Sequence, residues 1–166
     1  MVLALFAAVC ACIFFYAGAG DARFDREAEA AGTLDGDGSP QNPYLIADAE
    51  DLAIMADLVN NDSDNTYRVS HYSLTASINL DELATSELKF APIGTSTKPF
   101  TGQFNGNGNI IYNLRITENS SVAPLQADQY IGLFGYVGNG GSVSNVGVTG
   151  AAYGKNTALI IGGIAG

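Results

Sequence analysis

The most informative pattern in this chain is an alternation of apolar and polar residues whose phase breaks at an asparagine. In the segment 111–116, the apolar pair Leu114 and Ile116 is out of phase with Ile111. Because successive side chains of a strand point to opposite faces, the chain must bend at Asn113 for both halves to face one interior. Asparagine suits such a bend because its short polar side chain tolerates the left-handed conformation.

The same break recurs in the segment 143–148, at Asn145, which is 32 positions after Asn113. A second marker agrees, because the run Gly-Leu-Phe-Gly at 132–135 is followed 31 positions later by Gly-Ile-Ala-Gly at 163–166. Two landmarks with nearly the same spacing predict a repeat of about thirty residues, which is typical of stacked repeat architectures. In this interpretation Asn113 and Asn145 occupy equivalent bends in successive layers.

Three elements are predicted before the repeat. The residues after Pro43, Tyr44 to Ile46, are predicted to form the first strand, and Asp48 is predicted to cap a helix over residues 49–60. This helix is expected to cover the open end of the repeat, since terminal repeats are normally atypical. The alternation from Leu74 to Leu80 predicts one strand with a dry face. Four residues at helical spacing form the apolar side of the helix: Leu52, Met55, Ala56 and Val59.

The segments that follow are predicted to carry the repeat forward. Residues 81–89 are polar and have room for one helical turn, and the apolar runs 90–93 and 100–104 lead into the repeated unit. Long loops on one side of a repeat are where such proteins place binding surface. Two loops are expected to leave the repeat in this way, at 118–128 and 151–157.

The chain begins with an apolar leader. Residues 1–19 are apolar or small throughout, which is typical of a signal peptide or, alternatively, of an uncleaved membrane anchor. Lipidation at Cys12 is disfavoured because apolar residues, rather than a polar tether, follow it. Residues 20–38 are charged and then glycine-rich and are interpreted as a linker, and residues 39–166 as the repeat domain. Both alternatives for the leader place that domain outside the cytoplasm.

Several short runs, taken in their order, resemble the GLUG-repeat proteins of bacterial surfaces. The runs are individually short, but their order is specific, and the resemblance covers about residues 34–166. They are the segment 36–46 (Gly-Asp-Gly-Ser-Pro-Gln-Asn-Pro-Tyr-Leu-Ile), Ala49-Glu50-Asp51-Leu52, Pro92-Ile93-Gly94, the segment 100–108 (Phe-Thr-Gly-Gln-Phe-Asn-Gly-Asn-Gly) and the Gly-Leu-Phe-Gly element at 132–135.

Such segments occur in secreted adhesin-like proteins and in the non-catalytic part of bacterial immunoglobulin-A-cleaving metallopeptidases, where the resemblance implies a right-handed parallel β-helix. We therefore expect an all-β fold, a β-helix (solenoid) with an N-terminal capping helix, incomplete at its C-terminal end and continued by further repeats downstream. Two acidic motifs of the family are neutral here, since residues 105–108 read Asn-Gly-Asn-Gly for Asp-Gly-Asn-Gly and residues 77–80 read Ser-Ile-Asn-Leu for Asp-Ile-Asp-Leu. These departures argue against a metal role for those loops.

Composition narrows the function classes. The net charge of −10 argues against binding to nucleic acid, because the chain has few basic residues that could displace counterions from phosphates. Both cysteines, Cys10 and Cys12, lie in the leader, so the rest of the chain has no disulfide. Any membrane contact is expected only through the leader. The acidic run from Asp35 to Gly38 is interpreted as a glycine turn, because a calcium loop would need further oxygen ligands at set spacing.

The sequence contains no pattern typical of a catalytic or metal site. His71 is the only histidine, is interpreted as a surface or turn residue, and cannot by itself form a zinc site. A polysaccharide-cleaving enzyme would need clustered basic residues or two carboxylates at a set distance. Asp81 and Glu82 are the one close acid pair of the repeat region. The basic residues there are scattered: Arg68, Lys89, Lys98, Arg115 and Lys155. We therefore predict no catalytic residue, cofactor or metal.

Three tyrosines offer the most specific binding hypothesis. Outward rings at Tyr112, Tyr130 and Tyr136 would stack on sugars or pack on a protein partner, or would simply line the flank of the fold. The predicted function is a non-catalytic secreted or cell-surface β-helix module, an adhesin-like display or stalk segment, that contacts host or matrix glycan or protein. The alternative is the accessory N-terminal region of a large secreted enzyme, a metallopeptidase or a polysaccharide-active one, whose catalytic part lies elsewhere.

Overall fold

The described part of the chain contains one α-helix, one 3-10 helix and short strands that pair in parallel. The computed structural model describes residues 33–116, 130–152, 160–161 and 164. The chain divides into two units, Met1–Ala30 and Ala31–Gly166, and all that follows concerns the second. The leader, most of the linker, the predicted loop at 118–128 and residues 153–157 of the predicted loop at 151–157 lie outside the described residues. Residues 151–152, which the prediction assigned to that loop, instead end a strand.

The elements follow one another with loops of very different length. In chain order they are β1 (Tyr44–Ile46), α1 (Ala49–Asn61), β2 (His71–Leu74), β3 (Ile78–Asn79), a 3-10 helix (Leu80–Ala84), β4 (Gln103–Asn105), β5 (Ile110–Ile116), β6 (Tyr130–Ile131), β7 (Ser142–Ser144), β8 (Gly147–Ala152) and β9 (Ile160–Ile161).

All the described strand pairs are parallel, and they form three small sheets. One is four-stranded in the order β1-β2-β4-β7, one is three-stranded in the order β3-β5-β8, and β6 pairs with β9. Parallel partners need a crossover connection, and each crossover here carries the chain away from one strand and back beside it. Consecutive crossovers therefore place successive chain segments side by side.

Helix α1 begins where the sequence predicts. The Asp51 N–H donates to Asp48 Oδ1 at 3.0 Å, so Asp48 is the N-cap, and Asp51 Oδ2 in turn accepts from the Ala47 N–H at 2.9 Å. The predicted apolar side is confirmed, since Leu52, Met55, Ala56 and Val59 are all buried.

The C-terminal end of α1 is tied to a distant loop by a single side chain. The Asn60 amide donates to the Pro92 carbonyl at 2.9 Å, and its Oδ1 accepts from the Gly94 N–H at 2.8 Å. One amide thus satisfies two backbone groups of the 92–94 turn, where Gly94 adopts a positive φ of 81°. This contact fixes the helix against the layer that contains Ile93.

The core contains a connected series of aromatic rings. Tyr44 contacts Tyr72 with ring centroids 5.4 Å apart, Tyr72 contacts Phe100 at 5.9 Å, and Phe100 contacts Phe134 at 5.1 Å. Phe104 closes the series on Phe134 at 5.3 Å in an edge-to-face arrangement. Tilted and edge-to-face pairs at these distances are the favoured geometries. The series passes through successive layers and joins them into one apolar interior.

The expected all-β fold, a right-handed parallel β-helix (solenoid), is wrong. The described chain combines a 13-residue α-helix and a 3-10 helix with strands of two to seven residues in small separate sheets. The spacing of paired residues also varies. Tyr44 pairs with Tyr72, 28 positions later, whereas Gln103 pairs with Ser142, 39 positions later. Helices and insertions of unequal length between the strands remove the constant period that the sequence markers indicated.

The predicted equivalence of Asn113 and Asn145 is also wrong. Both residues do bend the chain, with φ of 60° and 53°. However, Asn145 follows β7 at the edge of the four-stranded sheet, whereas Asn113 lies within β5. The register pairs Ile110 with Gly147, and this places Asn145 before the paired segment. The two bends are 32 positions apart in the sequence, but they lie at different places in their layers.

The predicted strand from Leu74 to Leu80 is interrupted. β2 ends at Leu74, a bend follows, and β3 contains only Ile78 and Asn79. The Thr75 N–H still donates to the Ile46 carbonyl at 2.9 Å, as in a parallel ladder, and the chain bends after it at Ala76. Ala76, which the alternation assigned to the dry face, is consequently exposed. The helical turn expected within residues 81–89 is present as the 3-10 helix, which starts one residue earlier at Leu80.

Truncation of Phe134 tests whether the aromatic series holds the layers together. The ring is fully buried and contacts both Phe100 and Phe104. We expect Phe134→Ala to lower the free energy of unfolding by about 3–5 kcal/mol, measured by urea denaturation. Tyr112→Ala, at a ring that is 40% exposed, should change it by about 0.5 kcal/mol or less. Equal losses in the two variants would contradict this account.

Candidate functional site

The ionisable side chains of the described residues are used locally and do not converge on one place. No group of three or more His, Cys, Asp or Glu there has the arrangement of a metal site. The Lys89 ammonium donates to the Leu83 and Ser86 carbonyls at the end of the 3-10 helix. Arg115 and Asp81 form an exposed pair with Nη2–Oδ2 of 3.5 Å. Exposed pairs of this kind contribute little to stability.

The acidic run at Asp35–Gly38 is a glycine turn, as predicted. Gly36 and Gly38 adopt positive φ values of 100° and 75°. The Gly38 carbonyl accepts from the His71 N–H at 2.9 Å, so the turn lies beside the start of β2. Hydrogen bonds from Ser39 hold the pKa of Asp37 below its usual range. The turn is therefore anchored to the four-stranded sheet at the start of β2.

The most distinctive surface of the described chain is the outer face of the four-stranded sheet. Tyr72, Leu74 and Phe104 point into the core, so the alternate residues point outward. Two rows cross the strands in register, with Cα partners Leu45–Ser73–Asn105–Ser144 in one row and His71–Gln103–Ser142 in the other. These seven residues are called the outer face below. It contains no Asp, Glu, Lys or Arg, although the chain carries a net charge of −10.

Amide groups bridge the strands along this face. Asn107 Nδ2 donates to Ser73 Oγ and to the Leu74 carbonyl, both at 2.8 Å. Asn145 Nδ2 donates to Asn105 Oδ1 at 3.0 Å, and Gln103 Nε2 donates to the Gly140 carbonyl at 3.0 Å. Three amide side chains thus make four cross-layer hydrogen bonds, and Asn105, Ser142 and Ser144 remain exposed. Apart from the apolar Leu45, the face is thus an ordered array of polar donors and acceptors.

The structure does not bring the three predicted tyrosines together in one described site. Tyr112 is exposed on β5, in the three-stranded sheet, whereas Tyr136 is half-buried and lies in the loop between β6 and β7. The Tyr136 carbonyl accepts from the Phe100 N–H at 2.9 Å. The side chain of Tyr130 lies outside the described residues. His71 was interpreted as a surface or turn residue, and the structure places it at the first position of β2 on the outer face.

A buried aspartate organises the loop between α1 and β2. Asp62 accepts from the backbone N–H groups of Asp64, Thr66 and Arg68 at 3.1, 3.2 and 2.9 Å. Arg68 Nε also lies 3.6 Å from Asp62 Oδ2. Burial on its own would raise the pKa of Asp62, but the three N–H donors and the guanidinium outweigh it and hold the pKa below its usual range. This aspartate is a structural ligand of its own loop.

Comparison with known proteins finds two relatives at modest identity. Halomucin from Haloquadratum walsbyi is 34% identical over 139 residues, which are 80% of this chain and 1% of that protein. A Gly-rich membrane protein from Evansella cellulosilytica is 34% identical over 125 residues, which are 75% of this chain and 13% of that protein. The chain therefore spans a small share of each relative's length. No family model and no solved structure matches it.

Neither relative's name indicates GLUG repeats, so that resemblance stays a prediction. Among the described residues, no helix is both long and apolar enough to cross a membrane. The predicted leader at residues 1–19 lies outside that range, and its interpretation as a signal peptide or an anchor also stays a prediction.

Asp62→Asn should separate the charge of this side chain from its shape. We expect the variant to lose about 1–3 kcal/mol of unfolding free energy at neutral pH, because one charged acceptor is replaced by an amide whose N–H₂ opposes a backbone donor. Since the folded-state pKa is depressed, this difference is complete above the unfolded pKa of about 4. It should shrink as the pH falls through the folded-state pKa.

Urea denaturation between neutral and acid pH measures this difference. Asp57→Asn, at an exposed helix position, is the matched control and should change the unfolding free energy by about 0.5 kcal/mol or less. A difference for Asp62→Asn that stays constant down to strongly acid pH would rule out the charge as its cause.

Asn113 can be tested by separating its backbone and side-chain roles. Its Nδ2 donates to Asn79 Oδ1 at 2.9 Å, and its φ is 60°. Asn113→Gly keeps the conformation and loses the hydrogen bond, so we expect a loss of about 1 kcal/mol. Asn113→Ala also incurs the left-handed penalty and should lose about 2–3 kcal/mol. If alanine and glycine were equally tolerated in thermal unfolding, the bend at Asn113 would not be under conformational constraint.

Proposed function

We propose that this chain is a surface-associated, non-catalytic binding segment whose outer face contacts neutral, hydroxyl-rich ligands such as glycan chains. The observation that carries the proposal is the absence of charge from the outer face of an acidic protein. Adjacent strands lie about 4.8 Å apart, and outward residues along a parallel strand are about 6.6 Å apart. Hydroxyl and amide groups on such a grid can donate to and accept from a polyol without desolvating an ion.

The arrangement of charges elsewhere supports a binding role over a catalytic one. A glycosidase needs two opposed carboxylates, and a lyase needs a base with a group that neutralises the substrate carboxylate. Asp81 instead pairs with Arg115 at the surface, and Asp62 binds its own loop. Glu82 lies in the first turn of the 3-10 helix beside Asp81, where acidic residues favour the helix N-terminus. Each of these carboxylates thus has a local structural role.

The relatives support a surface location. One is named as a membrane protein and the other as a halomucin, and both are far longer than the matched segment. Matches that cover 1% and 13% of those proteins favour a modular segment within a large protein. The same lengths are compatible with the alternative function, an accessory region of a large secreted enzyme, which stays a prediction.

Glycan binding by the full chain provides the test. The probe is a panel of immobilised neutral and sialylated oligosaccharides, and we expect binding to neutral members that persists at high salt, because no ion pair is formed. Ser142→Arg on the outer face should weaken it at least about tenfold, through lost hydrogen bonds and steric block. Thr149→Arg, at an exposed position of β8 in the three-stranded sheet, is the matched control and should bind normally.

Two outcomes would reject the proposal. One is the absence of binding to every neutral member of the panel by a chain shown to be folded by circular dichroism. The other is an equal loss of binding in Ser142→Arg and Thr149→Arg, which would place the contact away from the outer face.

A further inference from the structure

The described chain contains three Asn-Gly pairs, and the fold treats them differently. The pairs are Asn105-Gly106, Asn107-Gly108 and Asn139-Gly140. An Asn-Gly pair is chemically labile because the glycine nitrogen can attack the asparagine side-chain carbonyl with no Cβ in the way. The attack requires that the glycine N–H is free and that the asparagine side chain can rotate over it.

The first pair is protected at both reacting groups. The Gly106 N–H donates to the Ser144 carbonyl at 2.8 Å, and Asn105 Oδ1 accepts from Asn107 N and from Asn145 Nδ2. Gly106 also packs directly on the backbone of Asn145, where a Cβ would clash with the carbonyl oxygen. Neither the nitrogen nor the side chain can reach the attack geometry without opening the edge between β4 and β7.

In the second pair, Asn107-Gly108, both reacting groups are also hydrogen-bonded, one to the following layer and the other to the preceding layer. The Gly108 N–H donates to the Asn145 carbonyl at 2.7 Å. The Asn107 amide is held by Ser73 Oγ and by the Leu74 carbonyl. The nucleophile and the electrophile are thus bound to different strands.

The third pair has none of these contacts within the described residues. Asn139 and Gly140 occupy the centre of a turn closed by the Gly141 N–H to the Gly138 carbonyl at 3.0 Å. Both are exposed, Gly140 has a φ of 90°, and open space surrounds the position where its Cβ would be. No described group accepts from the Gly140 N–H or binds the Asn139 amide. Both reacting groups are accessible.

We propose that Asn139 is a site of spontaneous deamidation, and that the fold suppresses the same reaction at Asn105 and Asn107. The Gly140 nitrogen, after loss of its proton, forms a bond to Asn139 Cγ, and the Cγ–Nδ2 bond breaks to release ammonia. Water then opens the resulting succinimide at either carbonyl, which leaves aspartate or isoaspartate. No oxidant or reductant is involved.

The product changes a specific part of the surface. A carboxylate replaces a neutral amide at residue 139, in the turn whose Gly140 carbonyl accepts from Gln103 Nε2 of the outer face. Isoaspartate also adds a methylene to the main chain between Gly138 and Gly140. The reaction therefore introduces negative charge beside a face that otherwise carries none, and this inference stands whether or not that face binds glycan.

Peptide mapping by mass spectrometry tests the proposal on the full folded chain held at mildly alkaline pH. Conversion is read as the mass gain of NH₂ replaced by OH, and isoaspartate is assigned by fragmentation. We expect conversion at Asn139 to be at least about tenfold faster than at Asn105 or Asn107, because those sites react only after local opening. The rate at Asn139 should rise with pH, since the attacking nitrogen must first lose its proton.

The unfolded chain is the matched control. In denaturant all three pairs lack protection, so their rates should become similar, and Asn139→Gln should abolish the fast phase in the folded protein without altering the other two. Comparable rates at the three pairs in the folded chain would overturn the proposal. So would a preference for Asn139 that persists in denaturant, because the cause would then be local sequence rather than the fold.

Discussion

The structure depends on the burial of aromatic side chains between parallel layers. A strand of three residues has too few inward positions to be stable without neighbours, and a parallel pair has no hairpin to hold it. Tyr44, Tyr72 and Phe104 lie on the inner face of successive strands, and Phe100 and Phe134 connect them through ring contacts. Because the contacts cross the layers, loss of one ring weakens the strands on either side of it.

Asparagine side chains at the bends also stabilise the stacked layers, through hydrogen bonds. Each layer turns at residues that leave backbone groups without strand partners, and asparagine side chains satisfy several of them. Asn60 binds backbone groups of the 92–94 turn, and Asn107 binds the Leu74 carbonyl at the end of β2. Asn113 instead binds the side chain of Asn79 in the preceding layer. Backbone groups are costly to bury without a hydrogen-bond partner, so these amides stabilise the fold. They also fix which residues of neighbouring layers lie side by side.

Charged and uncharged polar side chains occupy different parts of the described surface. Carboxylates lie at turns and helix starts, where Asp48 and Asp62 bind backbone N–H groups, and the outer face carries hydroxyls and amides instead. An uncharged, ordered face on an acidic chain supports the proposed contact with neutral polar ligands. The proposed deamidation of Asn139 would place a carboxylate beside this uncharged face.

Local patterns in the sequence determined the elements that depend on nearby residues. The strand Tyr44–Ile46, the Asp48 cap, the buried side of α1 and the positive φ of Asn113 and Asn145 all follow from short-range chemistry, and each is present. Tertiary structure alone decided which strands pair and in what register. The number of residues between two positions changes with every insertion. Strand pairing, in contrast, depends only on where the chain returns to the sheet after a helix or a loop. For this reason the Asn113 side chain donates to Asn79 and the Asn145 side chain to Asn105. The outer face likewise forms only when four separated segments lie side by side.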